Sequence, residues 1–99
     1  MLTDQDLRDL LGYHAEAPVI SVYLNTDPNQ WTPDACKLRL RTMFKGVDQR
    51  EDVSAIEMYL SHEYDWSGHS VAIFSCAPEG FFRAYPLAVP VRDRVRIDH

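Results

Sequence analysis

The sequence predicts an α/β domain: a mixed four-stranded sheet with about three helices packed on it, in the order α-β-α-α-β-β-β, as a two-layer or three-layer sandwich. Three observations lead there. The runs PVISVYLN, HSVAIFSCA, FFRAYPL and VPVRDRVRI are rich in β-branched and aromatic residues and bounded by turn formers. Between the first two lie segments whose apolar residues recur with the helical period. Ninety-nine residues at 45% apolar and 25% charged content suffice for one domain with a modest core, and are too apolar for a disordered chain.

Taken in order, Thr3 is a good N-cap, Asp4 and Asp6 suit the positive end of a helix, and Gly12 can close it. A short helix is expected over Asp4 to Leu11 with Leu7, Leu10 and Leu11 on its buried side. Pro18 opens a strand in which Ile20, Val22 and Leu24 share one face and Val19, Ser21 and Tyr23 the other. Both faces are largely apolar, which places the strand inside the sheet. DPNQWTP is a loop carrying an exposed Trp31.

Thr32 with Pro33 at the first helical position, or Asp34 as cap, starts the next helix. Cys36, Leu40, Met43, Phe44 and Val47 form its apolar stripe, and Gly46 with DQRED marks a break. A third helix is expected from about Asp52 to Glu63, with Val53, Ile56, Tyr59 and Leu60 inward. HSVAIFSCA, apolar on both faces, is the best central strand. Pro78-Glu79-Gly80 turns it into FFRAYPL as a hairpin. Val89 to Ile97 closes the series, with Val91, Val95 and Ile97 on one face and Arg92, Arg94 and Arg96 on the other. A strand, a helical crossover and a second strand imply a parallel, right-handed pair, and the hairpin adds antiparallel neighbours.

Charge is unevenly spread. The chain has net charge −5, yet Asp34 to Arg50 holds Lys37, Arg39, Arg41, Lys45 and Arg50 against only Asp34 and Asp48. Lys37, Arg41 and Lys45 fall at i, i+4 and i+8 beside the apolar stripe, while Arg39 falls on the opposite side. Such a row is ordinarily a solvated face, but this one lacks interleaved Glu. It is suited to lining a phosphate backbone, where each neutralised phosphate releases a counterion. Arg92, Arg94 and Arg96 form a second basic row; charge there also protects an edge strand from pairing. If helix and strand share one side, the two rows make a bipartite RNA-facing surface.

Other chemistry is poorly represented. HEYDWSGH (62–69) has two His with Glu63 and Asp65, but no H-E-x-x-H or comparable ligand spacing, so no metal is expected. Cys36 and Cys76 lack a C-x-x-C pattern and fall on buried faces, fitting a reducing cytosol. Ser21, Ser70 and Ser75 lack a G-x-S-x-G elbow, and no glycine-rich loop is present to cradle a phosphate. No cofactor and no enzymatic activity are expected. The N-terminus has neither a basic start nor an apolar stretch of secretory type, and no run approaches the ~20 residues of a membrane span. A cytoplasmic protein is expected, with neither membrane nor DNA as partner.

PVISVYLNTDP, the basic helix, a second helix and SVAIFSCAPEGFFRAYPLAVPVRDRVRID, in that order, resemble the N-terminal domain of archaeal and eukaryotic class I peptide chain release factors, in the style of bacterial relatives. The resemblance spans nearly the whole chain. It implies an α/β sandwich that enters the ribosomal A site, with ribosomal RNA as partner and a translation GTPase as a second candidate. In the family, an Asn-Ile-Lys-Ser loop leads into a basic helix and reads stop codons. The nearest match here is Ala35-Cys36-Lys37-Leu38 followed by Arg39, with Ala35 for the asparagine and Leu38 for the serine. The Tyr-x-Cys-x-x-x-Phe element would fall near Val95-Arg96-Ile97 and does not match, and no Gly-Gly-Gln is present.

The resemblance therefore implies a ribosome-binding module, part of a longer release-factor-like protein, that serves termination, rescue or hibernation without the family's codon reading. Lys37, Arg39, Arg41, Lys45, Arg92, Arg94 and Arg96 are its expected RNA contacts. The alternative is a protein–protein interaction domain in which Trp31 and Tyr13 anchor a partner and the stripe is merely solvated.

Overall fold

The computed structural model describes residues 18–98; the helix expected over Asp4 to Leu11 lies outside them. The order is β1 (Val19–Asn25), α1 (Pro33–Met43), α2 (Arg50–His62), β2 (Ser70–Cys76), a 3-10 turn (Ala77–Glu79), β3 (Phe81–Leu87) and β4 (Arg94–Asp98). The sheet is four-stranded in the order β3-β2-β1-β4. β1 and β2 are internal, as their two-sided apolar character predicts.

The sheet is antiparallel throughout rather than mixed. The two helices expected between β1 and β2 are both present, and the expected parallel crossover fails because two passes, unlike one, reverse the direction of the next strand. One helical pass would carry the chain to the far end of the sheet; two bring it back to the end it left. Ser70, the first residue of β2, accordingly sits opposite Asn25, the last of β1.

Local chemistry places the helices. Thr32 is the cap of α1, its Oγ1 accepting the Ala35 N–H at 3.2 Å, with Pro33 in the first turn. The helix ends at Met43, and Gly46 follows with φ +84°. α2 begins at Arg50 with Glu51 and Asp52 in its first turn, where carboxylates favour the helix dipole.

Pairing and alternation decide the faces. Ile20, Val22 and Leu24 of β1, with Val71 and Ile73 of β2, form one buried cluster with Cys36, Leu40 and Phe44 of the α1 stripe, Val47, and Val53, Ile56 and Leu60 of α2. Both helices therefore cover the same face, and the described residues form two layers. Tyr59 is half-buried against this core, as is Val95 of β4. Ile97, opposite Ile20, points to the same face but stays 40% exposed at the sheet edge.

β4 starts later than expected, at Arg94 rather than Val89. Beyond Tyr23↔Arg94 the ladder is taken over by a side chain: the Asn25 N–H donates to Asp93 Oδ1 at 2.8 Å. Val89 instead lends its carbonyl to the Ser70 hydroxyl.

The β2–β3 hairpin turns through Gly80, whose φ of +65° is left-handed and whose N–H donates to the Ala77 carbonyl at 3.0 Å. A Cβ there would meet no atom within 4 Å, so only the backbone conformation resists a side chain. Gly80→Ala is expected to cost about 1–2 kcal/mol in urea unfolding. Unchanged stability would mean that the turn leaves the left-handed region.

Candidate functional site

Burial of Cys36, Leu40 and Phe44 fixes the rotation of α1 and so distributes its cations. Lys37 and Arg41 face α2 and line a shallow groove with Leu40, Glu57, Leu60 and Ser61. Lys45 lies past the end of α1, in the turn before Gly46, so the helical row is Lys37 and Arg41 alone; Arg41 and Lys45 are both exposed. Lys37 is half-buried, its ammonium 5.9 Å from the centroid of the Trp66 ring. Among the described residues none of the three forms an ion pair. Glu57, in the groove wall, is the carboxylate bordering the row.

Arg39 has a different task. It lies on the β4 side, where its guanidinium pairs with the Asp93 carboxylate and donates to the Asn25 carbonyl oxygen. The Arg39 Cζ also stands 4.0 Å from the centroid of the Trp31 ring. With 21% of its side chain exposed, Arg39 is a strut between α1, the end of β1 and the start of β4. Trp31 itself is 38% exposed. Tyr13, its companion in the interaction-domain reading, lies outside the described residues.

The second basic row does not join the first. Val95 pairs with Val22 and packs on the helix-side core, so alternation sends Arg94 and Arg96, opposite Tyr23 and Ser21, to the other face. The bipartite surface on one side is therefore not formed. Arg83 pairs with Phe74 on that same face, which neither α1 nor α2 covers, and its Cζ lies 4.9 Å from the Phe81 ring centroid. Tyr23, Phe74 and Tyr85 make edge-to-face contacts across it, with centroids 5.9 and 6.1 Å apart. Arg92 is exposed in the segment leading into β4.

The HEYDWSGH segment is put to structural use. The Tyr64 hydroxyl shares a 2.8 Å hydrogen bond with Thr26 Oγ1, and Trp66, at φ +62°, donates from Nε1 to the Leu60 carbonyl at 3.1 Å. Asp65 accepts from the Ser67 N–H and hydroxyl, which hold its carboxyl below the usual carboxylate range. His69 reaches Asp27 at 3.5 Å. Among the described residues no three His, Cys, Asp or Glu gather as a metal site would require.

Cys36 and Cys76 are both buried and are not joined. Burial raises the Cys76 thiol above its ordinary value. No helix among the described residues is long and apolar enough to cross a membrane.

Three supports escape a reading of the sequence. Asp93 meets Arg39 across 54 positions of chain, so no local spacing connects them. Asn25 contributes through its backbone carbonyl, which any residue carries. Asp52 is 2% exposed and accepts from Ser75 Oγ at 2.5 Å and the Ala77 N–H at 2.8 Å, tying α2 to the end of β2. Only Arg39 had left a trace, in its position off the stripe. Comparison of the sequence with protein-family models and with the curated proteins finds no match.

Two outcomes test this geometry. Asp93→Asn is expected to lower stability by about 1–3 kcal/mol in urea unfolding, because Arg39 keeps its burial and loses its counterion. A loss equal to that of a surface substitution would remove the strut from this account. Burial also holds the Tyr64 phenol above its ordinary 10.0, against the weaker downward pull of the Thr26 bond. Unfolded chains then release that proton before folded ones, so stability is complete below about pH 10 and falls as pH rises through the folded value. Tyr64→Phe should flatten this alkaline fall, at a cost of about 1 kcal/mol near neutrality for the lost hydrogen bond.

Proposed function

We propose that this chain is the ribosome-binding module of a bacterial release-factor-like protein. It acts in termination, ribosome rescue or hibernation, without reading a stop codon and without hydrolytic chemistry of its own. The observation that carries this reading is the pair Lys37 and Arg41 on one flank of a packed helix, with Lys45 in the turn just after it, none of them with an ion-pair partner among the described residues. Cations of that kind bind phosphates at little cost, because no internal pair has to be broken and counterions are released.

Ribosomal RNA at the A site is the proposed partner, with a translation GTPase as a second contact. Arg39 serves this surface by bracing α1 rather than by reaching outward. Arg92, Arg94 and Arg96 belong to a separate contact at the β4 edge and on the sheet face that α1 and α2 do not cover. Leu38 stands where the family's codon-reading loop has serine. It is 64% exposed and gives the helix no hydroxyl to offer a base.

A second reading has its own support. Leu38 and Trp31 are both exposed apolar groups, and a protein partner would bury them. Salt separates the two, since apolar contacts are unscreened while phosphate contacts weaken steeply as salt rises.

In ribosome co-sedimentation, Lys37/Arg41/Lys45→Glu is expected to abolish binding at moderate salt. Milder substitution of the three by Gln should reduce the salt slope of binding by about 2. Binding by the Glu variant that equals wild type, at every salt concentration, would exclude the stripe as the contact.

A further inference from the structure

We propose that Trp31 is a stacking platform for an unpaired nucleobase of RNA, at the corner of the domain where α1 meets the start of β4. The inference deepens the RNA reading above and rests on it.

The ring is held as a platform would be. Its backbone is fixed by the loop: the Trp31 and Gln30 N–H groups both donate to the Asp27 carbonyl at 2.9 Å, and the Asn29 N–H donates to Asp27 Oδ1 at 3.0 Å. Asn25 secures the same loop, its Oδ1 accepting the Asp27 N–H at 3.0 Å and its Nδ2 donating to Gln30 Oε1 at 3.3 Å. One face of the indole is backed by the Arg39 guanidinium at 4.0 Å. That guanidinium is itself tied to Asp93 and to the Asn25 carbonyl, so it cannot swing away. The ring is still 38% exposed. A flat aromatic surface whose rotamer is already paid for on folding loses little entropy when a base stacks on it.

The surroundings favour a base over a protein side chain. A tryptophan that anchors a protein partner normally sits inside an apolar patch that excludes water. Here its exposed chain neighbours are Pro28, Asn29, Gln30, Thr32, Pro33 and Asp34, mostly polar. Arg92, exposed, directly precedes Asp93, the residue that holds the strut behind the ring, while Arg94 turns to the other face of the sheet. An aromatic face with a cation near it is the combination that binds single strands, the base stacking while an arginine such as Arg92 takes a phosphate. Asp34 is the acidic exception. Duplex RNA, whose bases are already stacked on each other, offers the ring nothing.

The test uses the whole chain and two labelled probes, a short oligoadenylate and a duplex RNA of equal length, in fluorescence anisotropy at low salt. Trp31→Ala is expected to weaken oligoadenylate binding about tenfold, with Trp31→Phe retaining most of it and duplex binding the same in all three proteins. The Phe variant also guards against a folding defect, since it keeps a ring over Arg39. Equal oligoadenylate affinity for wild type and Trp31→Ala, with the Lys37/Arg41/Lys45→Glu protein still impaired, overturns the platform and leaves the RNA reading standing. No binding of either probe or of ribosomes by wild type overturns both. Ribosome co-sedimentation that fails on Trp31→Ala while oligoadenylate binding is unchanged also overturns the platform, and assigns the ring to a ribosomal protein.

Discussion

The packing of the α1 stripe onto β1 is the constraint from which the rest of the domain follows. Ile20, Val22 and Leu24 are wholly buried, and Cys36 and Leu40 meet them with 0% and 1% exposure. Close-packed interiors leave a helix little freedom to roll. Once those residues are seated, Lys37 and Arg41 must turn toward α2, Arg39 toward β4, and Leu38 outward. The electrostatics of the surface are thus a consequence of core packing.

Residues two positions apart on one helix acquire opposite characters in this way. Arg39 gives up hydration for a carboxylate, a backbone carbonyl and an aromatic face, and becomes part of the scaffold. Its planar fork donates from two separate nitrogens while its flat face lies on the indole, a combination that the compact ammonium of a lysine lacks. Arg41 keeps its hydration and its charge in reach of solvent. A count of basic residues treats them alike, while their surroundings separate a strut from a contact.

Polar locks hold the ends of the apolar layer. Asp52 joins the first turn of α2 to the end of β2, and Thr26 with Tyr64 joins the end of β1 to the segment after α2. Asp93 joins the start of β4 to both β1 and α1. Asp52, Thr26, Tyr64 and Asp93 are each hydrogen-bonded, as desolvation demands, while the buried Arg39 Nε and Gln49 Oε1 have no partner among the described residues. The Thr26 and Asp93 locks hold the end of β1 from which the loop carrying Trp31 departs, so an exposed ring rests on a well-braced base.

Much of this was legible in the sequence because it depends on local rules. The periods of PVISVYLN and SVAIFSC, the Thr32-Pro33 start, the hairpin at Gly80 and the position of Arg39 off the stripe each need only a few neighbouring residues. The direction of β2 does not: it depends on how many helical passes intervene and where they return the chain. Nor does the separation of the two basic rows, which follows from Val95 pairing with Val22 and packing toward the helices. The sequence by itself determined the two described helices, the internal strands β1 and β2, and the apolar faces that these elements bury. Tertiary structure alone decided which cations remain available and which are spent on the fold, because the partners that settle it, Asp93 for Arg39 above all, lie far along the chain and meet only when the sheet is assembled.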